Sequence, residues 1–186
     1  ELYEEIFQKD SSNLLAANTL GKLYLRSVKP KKAGKLFEYL QSKDSLNPNY
    51  PYQIAQTLKL RKKILRMGQS YLDAYNLDTL HTNSIYELAK FFKVLKDRDS
   101  SNLFIEKGLK IDSLDINFLQ LKANHLYFKK QYKKALVYLN TLENLNYKSI
   151  NTYEMFGMSY LNLKKLDSAE IYFNKALKLD YKNAKI

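Results

Sequence analysis

Apolar and small residues return along this chain with helical spacing, and the helices they mark come in pairs. Between Ile150 and Asn183 they fall at Tyr153, Phe156, Gly157 and Tyr160, then at Leu166, Ala169, Phe173, Ala176 and Leu177. Each set repeats at i, i+3 and i+4, which puts it on one face of an amphipathic helix, and a short polar turn separates the two. The pattern recurs upstream at a fixed interval of 34 residues. Gly157 is preceded at that interval by Ala123, Ala89, Ala55 and Gly21, all small, as helices in close approach require. Ala169 is preceded by Ala135, Ser101, Met67 and Ala33, and Phe173 by Leu139, Ile105, Tyr71, Phe37 and Tyr3. No insertion or deletion interrupts these series.

An aromatic, a large apolar residue, Gly and Tyr on one helix, followed by Ala, Phe and Ala-Leu on the next, resembles the tetratricopeptide repeat. That unit is a 34-residue helix–turn–helix that buries its apolar face only by stacking on neighbours. The resemblance covers essentially the whole chain and is carried by fixed register rather than by any single motif. It implies an all-α fold, a right-handed α-solenoid of stacked antiparallel helix pairs. Five contiguous repeats are expected, at 14–47, 48–81, 82–115, 116–149 and 150–183. Residues 1–13 read as the second helix of a preceding repeat, with Tyr3 and Ile6 on its core face. Residues 184–186 read as the start of a further helix.

Local signals agree with this register. The residues before the first helices are Asn13, Asn47, His81, Asp115 and Ser149, of which all but His81 are strong N-cap types. Pro48 is expected at the first helical position, where its missing N–H costs little. Asp10, Asp44, Asp78, Asp112 and Asp180 fall between repeats and are expected to form local turns. Repeat 48–81 departs most from the pattern. Pro51 stands where a large aromatic is usual, Met67 fills a small slot, and Gly68 interrupts the second helix at a cost near 1 kcal/mol relative to Ala. Looser packing is expected there.

Composition narrows the functional classes. The chain contains no Cys, which excludes disulfides, thiolate metal sites and a cysteine nucleophile. No apolar run approaches the roughly 18 residues of a membrane span, and no signal peptide is present. A first residue of Glu rather than Met reads as a segment of a longer protein, and the compartment is left open. His81 and His125 are the two histidines. They lie more than one repeat apart and read as structural or solvated. There is no HExxH, glycine-rich phosphate loop, nucleophile elbow or EF-hand loop. Catalysis and cofactor binding are therefore not expected of this segment.

What remains is binding. In the family that the chain resembles, the first helices line a concave groove that holds extended peptides or partner helices. Its groove slots correspond to Asn18, Lys22, Leu25 and Arg26, then Asn49, Tyr52, Gln56 and Lys59, then Asn83, Tyr86, Lys90 and Lys93. Further on they are Asn117, Gln120, Asn124 and Tyr127, and last Asn151, Glu154, Met158 and Asn162. Tyr52 and Tyr86, one repeat apart, are expected as neighbours, either as aromatic anchors for a partner or packed between repeats. No three consecutive repeats reproduce the Lys, Asn and Arg set with which chaperone-binding relatives hold a terminal carboxylate.

The net charge of +12 is concentrated in the turns inside the repeats. Windows 27–32, 61–66, 95–100, 129–134 and 163–168 hold fifteen basic residues against Asp97, Asp99 and Asp167, an excess equal to the whole net charge. Lys31, Lys32, Arg61, Lys62, Lys63, Arg66, Lys129, Lys130, Lys133 and Lys134 form most of this basic edge. Lysines at the end of a first helix suit its dipole. Lys31, Lys32, Lys133 and Lys134 fall near the start of a second helix, where acids are preferred. The leading expectation is a non-catalytic scaffold for a protein or peptide partner. The alternatives are a nucleic-acid or anionic-surface site on the basic edge, and a spacer that self-associates end to end.

Overall fold

The computed structural model describes the backbone of residues 2–183 and the side chains of residues 2–179. The described residues form eleven α-helices and no strand. They are α1 (Leu2–Lys9), α2 (Leu14–Arg26), α3 (Pro30–Lys43), α4 (Asn49–Leu60), α5 (Ile64–Leu77), α6 (Thr82–Val94), α7 (Arg98–Ile111), α8 (Ile116–Phe128), α9 (Tyr132–Asn144), α10 (Ile150–Asn162) and α11 (Leu166–Asn183). The expected helix start at 184–186 lies outside the described residues. The chain divides into two compact units, Glu1–Phe91 and Phe92–Ile186, with the division falling inside α6.

In the first unit, α2 packs on α3, α3 on α4 and α4 on α5. Ala17, Ala33, Phe37 and Leu40 make a core cluster, joined by Phe7 from α1 and by Tyr24, Tyr39, Tyr50 and Ile54. The small residues on the sequence's 34-residue interval are buried, and beside Gly21, as beside Gly68, an aromatic ring occupies the space a side chain would need. A Cβ on Gly21 would stand 2.8 Å from Phe37 Cζ, and one on Gly68 would stand 2.2 Å from Phe91 Cζ. Gly68 therefore has a packing reason. Within 48–81, where looser packing is expected, Pro51, Ala55, Leu58, Met67, Tyr71 and Ala74 are all buried. The expected core role of Tyr3 is corrected. Tyr3 is 38% exposed, and α1 docks instead through Phe7 and through Glu4, which accepts a hydrogen bond from the Tyr24 hydroxyl at 2.7 Å.

In the second unit, α8 packs on α9, α9 on α10 and α10 on α11. Its core cluster comprises Leu119, Ala123, Leu136, Leu139, Leu142, Tyr153, Phe156 and Ala176. Phe156 and Tyr172 stack at 4.1 Å with their planes 8° apart. Gly108 and Gly157 repeat the ring-on-glycine contact with Phe118 and Phe173.

The turns are closed by two devices. After each first helix one residue takes the left-handed conformation: Val28, Lys62, Lys96, Lys130 and Lys164, with φ between 54° and 61°. The next N–H then reaches back five residues to the helix, as in Lys63 N–H to Leu58 O at 2.9 Å and Asp97 N–H to Phe92 O at 3.0 Å. This is the Schellman bond, in a place where glycine is the usual residue. The second device uses the inter-repeat aspartates. Asp10, Asp78 and Asp112 each accept the N–H two residues on, at 2.9 Å, and Asp44 accepts from the Asn47 amide at 3.0 Å. Asp180 is an exception, since α11 continues through it to Asn183. The turn at 145–149 lacks an aspartate and uses Asn146 at φ 59° instead. Asn13, Asp115 and Ser149 cap their helices as expected. α4 starts at Asn49, so Pro48 precedes the helix rather than opening it, and Asn47 Oδ1 accepts the Asn49 N–H at 3.1 Å.

Candidate functional site

The expected groove residues are carried by α2, α4 and α6 in the first unit, and by the end of α6 with α8 and α10 in the second. On α2, Asn18 is partly buried, and Lys22 and Arg26 are exposed. None of the three holds a hydrogen bond or ion pair among the described residues. On α4 the polar side chains are engaged. The Tyr52 ring lies 5.8 Å from Tyr71 and 5.4 Å, edge-on, from His81, and Gln56 donates to the Tyr71 hydroxyl at 3.0 Å. Burial, with the Glu87 charge behind it, raises the Tyr71 and Tyr52 hydroxyl pKa values, so both stay protonated donors. Tyr52 is thus packed within the fold, and its ring partners are Tyr71 and His81 rather than Tyr86. Tyr86 itself carries the Lys90 ammonium 4.7 Å over its ring, a cation–π arrangement.

Glu87 changes the electrostatics of this face. It receives Lys59 at 3.1 Å and Lys90 at 3.3 Å, so two expected groove cations share one carboxylate. The sequence carries the i, i+3 half of that bridge. The Lys59 half joins residues 28 apart and depends on how α4 and α6 lie together. His81 is structural: its Nδ1 is 2.7 Å from the Ser84 hydroxyl at the start of α6, and desolvation lowers its pKa despite the opposing charge of Asp78. The expected asparagine ladder of Asn49, Asn83, Asn117 and Asn151 is exposed at all four positions, and the Asn49 amide is tied back to Asn47 at 3.0 Å.

In the second unit Lys93 donates to Asn124 Oδ1 at 2.6 Å, and Gln120 donates to the Tyr147 hydroxyl at 2.9 Å. Tyr127 packs against Phe128 and Tyr132. Lys122, buried and absent from the expected groove set, is held by Glu106 and by Asn102 at 2.8 Å. The basic-edge residues Lys31, Lys32, Arg61, Lys62, Lys63, Arg66, Lys129, Lys130, Lys133 and Lys134 are all exposed. Lys32 sits 5.3 Å over the Tyr24 ring and 3.9 Å from Glu4, and Lys129 is 3.8 Å from Asp99. Among the described residues, no cluster of three His, Cys, Asp or Glu side chains could hold a metal ion, and no helix is long and apolar enough to cross a membrane.

No protein-family model matches the sequence, and no curated protein matches it. Solved structures do match. PilF of Pseudomonas aeruginosa superimposes with a TM-score of 0.83 at 18% identity, over 95% of this chain and 81% of its own. MamA from Desulfovibrio magneticus RS-1 gives 0.79 at 15% identity, covering 91% of this chain and 96% of its own. YrrB, described as a TPR protein with an unusual peptide-binding site, gives 0.76 at 11% identity, covering 96% and 92%. The fold is that of the tetratricopeptide repeat.

One concavity in this tetratricopeptide-repeat fold was not foreseen. A pocket of about 370 Å³ opens in the second unit between the end of α6, the start of α7 and α8. It is lined by Lys93, Lys96, Arg98, Ser101, Ile105, Leu121, Asn124, His125 and Phe128. It joins two groove residues, Lys93 and Asn124, to a basic turn, two features that the repeat pattern places in separate rows. The His125 pKa is lowered, first by desolvation and then by Lys129 and Lys122, so the ring is neutral at pH 7.

Proposed function

We propose that this chain is a non-catalytic interaction scaffold of five tetratricopeptide repeats that holds an extended or helical segment of another protein against its first helices. The observation that carries this reading is the contrast within the face formed by α2, α4 and α6. Tyr52, Gln56, Lys59 and Lys90 are tied into the fold, whereas Asn18, Lys22, Arg26 and Asn83 hold no bond among the described residues. A rigid floor with untethered polar groups suits recognition, because the ordering cost of the floor has already been met in folding. The likeness to YrrB, a peptide-binding protein by its description, supports the same reading. The basic turns serve here as helix caps and as a solvated, positively charged margin.

The test starts from peptides selected from a random displayed library on the immobilised chain, then measured in solution by fluorescence anisotropy. Lys22→Glu combined with Arg26→Glu, both exposed positions, should weaken the selected peptides at least about tenfold, a loss near 1.4 kcal/mol. Unchanged affinity in a double variant with an intact helical spectrum would refute the groove.

A further inference from the structure

We propose that the pocket between the end of α6, α7 and α8 docks an acidic segment of a partner protein in which a carboxylate side chain stands beside a large apolar one. This site is built from residues of the second unit, whereas the groove reading is tested at α2 residues of the first, and either can fail alone.

The argument begins with how this fold treats its other engaged lysines. Lys59 and Lys90 share Glu87, Lys122 meets Glu106, and Lys175 meets Glu143. Lys93 has no such partner. Its ammonium is bonded to the neutral Asn124 amide, and desolvation lowers its pKa although the residue as a whole is exposed. Lys96 and Arg98 line the same pocket, and no carboxylate does. The nearest acids in sequence are committed elsewhere. Asp97 accepts the Ser100 N–H at 3.0 Å as the cap of α7, and Asp99 stands out in solvent 3.8 Å from Lys129. Three cations therefore line a partly desolvated space whose walls hold no carboxylate, which favours an anion in the ligand.

The rest of the lining selects among anions. Ile105 and Leu121 give the pocket apolar walls, and Phe128 stands beside them 57% exposed. A bare phosphate would answer the charges and leave those walls wet, while a neutral apolar group would bury the walls and strand the charges. A carboxylate next to an apolar side chain answers both. Arg98 offers a planar fork suited to a carboxylate. Asn124 spends its oxygen on Lys93, which leaves its two amide hydrogens for an incoming acceptor. A volume of about 370 Å³ is at the small end for ligand sites and has room for side chains rather than a folded surface.

The probe is a fluorescent peptide with both ends blocked, built of repeating Glu-Leu-Asp-Phe units separated by Gly-Ser. Two control peptides replace its acids by Gln or its apolar residues by Ala, and a thymidine oligonucleotide serves as the polyanion control. The parent peptide should bind the whole chain at least about tenfold more tightly than any control. Arg98→Glu should weaken it by a similar factor, with Arg98→Gln intermediate, and Lys133→Glu, outside the pocket, should leave it unchanged. The variants' helical spectra and melting curves establish that they are folded. The proposal is overturned by no binding up to about 1 mM, by equal binding of the Ala control or the oligonucleotide, or by indifference to Arg98.

Discussion

Replacing Gly68 by Ala reverses the usual sign of a helix substitution. In an exposed helix interior, Gly to Ala stabilises by about 1 kcal/mol. Here the new Cβ would stand 2.2 Å from Phe91 Cζ and 2.5 Å from Cε1 and Cε2. Ordinary contact begins near 3.4 Å, so the ring must retreat by the difference, about 1.2 Å. Phe91 is only 7% exposed, so the retreat presses on its neighbours instead of on water. Overpacking of this kind costs about 1–3 kcal/mol, which leaves a net loss of about 1 kcal/mol after the propensity gain. Phe91→Leu removes the very atoms that collide, and in that background Gly68→Ala should stabilise by nearly the full propensity term. The coupling across the cycle is then about 2 kcal/mol, measurable by urea denaturation and by hydrogen exchange of the α5 amides. A Gly68→Ala change that stabilises the parent chain, or acts equally in both backgrounds, refutes the ring-on-glycine packing.

Two further outcomes follow from the turns and caps. Val28 is β-branched at φ 54° and 69% exposed, so Val28→Gly removes a left-handed strain of roughly 1–2 kcal/mol and adds back about 0.5–1 of chain entropy. The melting temperature should rise, and Lys130→Gly should raise it less; a fall in both would show that the turn does not hold this conformation. The folded pKa of His81 lies below its ordinary 6.5 because burial disfavours the imidazolium. As pH falls below 6.5 the unfolded chain takes up that proton first, so stability declines until the folded-state pKa is passed. His81→Asn, which puts a strong N-cap type at the same position, should flatten that part of the stability curve, and an unaltered slope would assign it to other groups.

Much of the fold is legible because it rests on steric demands with few solutions. Gly21, Ala55, Ala89, Ala123 and Gly157 are all buried, and the aspartates at 10, 78 and 112 bond the amides that their spacing suggests. Turn geometry was harder to see, since four of the five left-handed positions that follow the first helices hold lysine and one holds valine, where the backbone alone would favour glycine. A window of basic residues thus contained a conformational constraint that charge counting does not detect. The candidate site was legible only as a set of positions. Whether Lys59 faces water or Glu87, and whether Tyr52 meets a partner or His81, depends on how helices nearly 30 residues apart settle against each other. The pocket at Lys93 and Arg98 draws on groove and turn together, so neither row alone could announce it.

The closing bonds of the turns have a consequence for how the chain comes to be folded. Each joins residues two to five apart, from Asp10 with Ser12 to Lys165 with Tyr160. Closing such loops costs little entropy and takes well under a microsecond, so no turn waits for a distant stretch of chain to arrive. The slow step is then the stacking of one closed pair on the next, which recurs along the chain with similar chemistry each time. A nascent chain emerging from its N-terminus can close α2 on α3 before α4 has been made, and each new pair finds its docking surface already waiting.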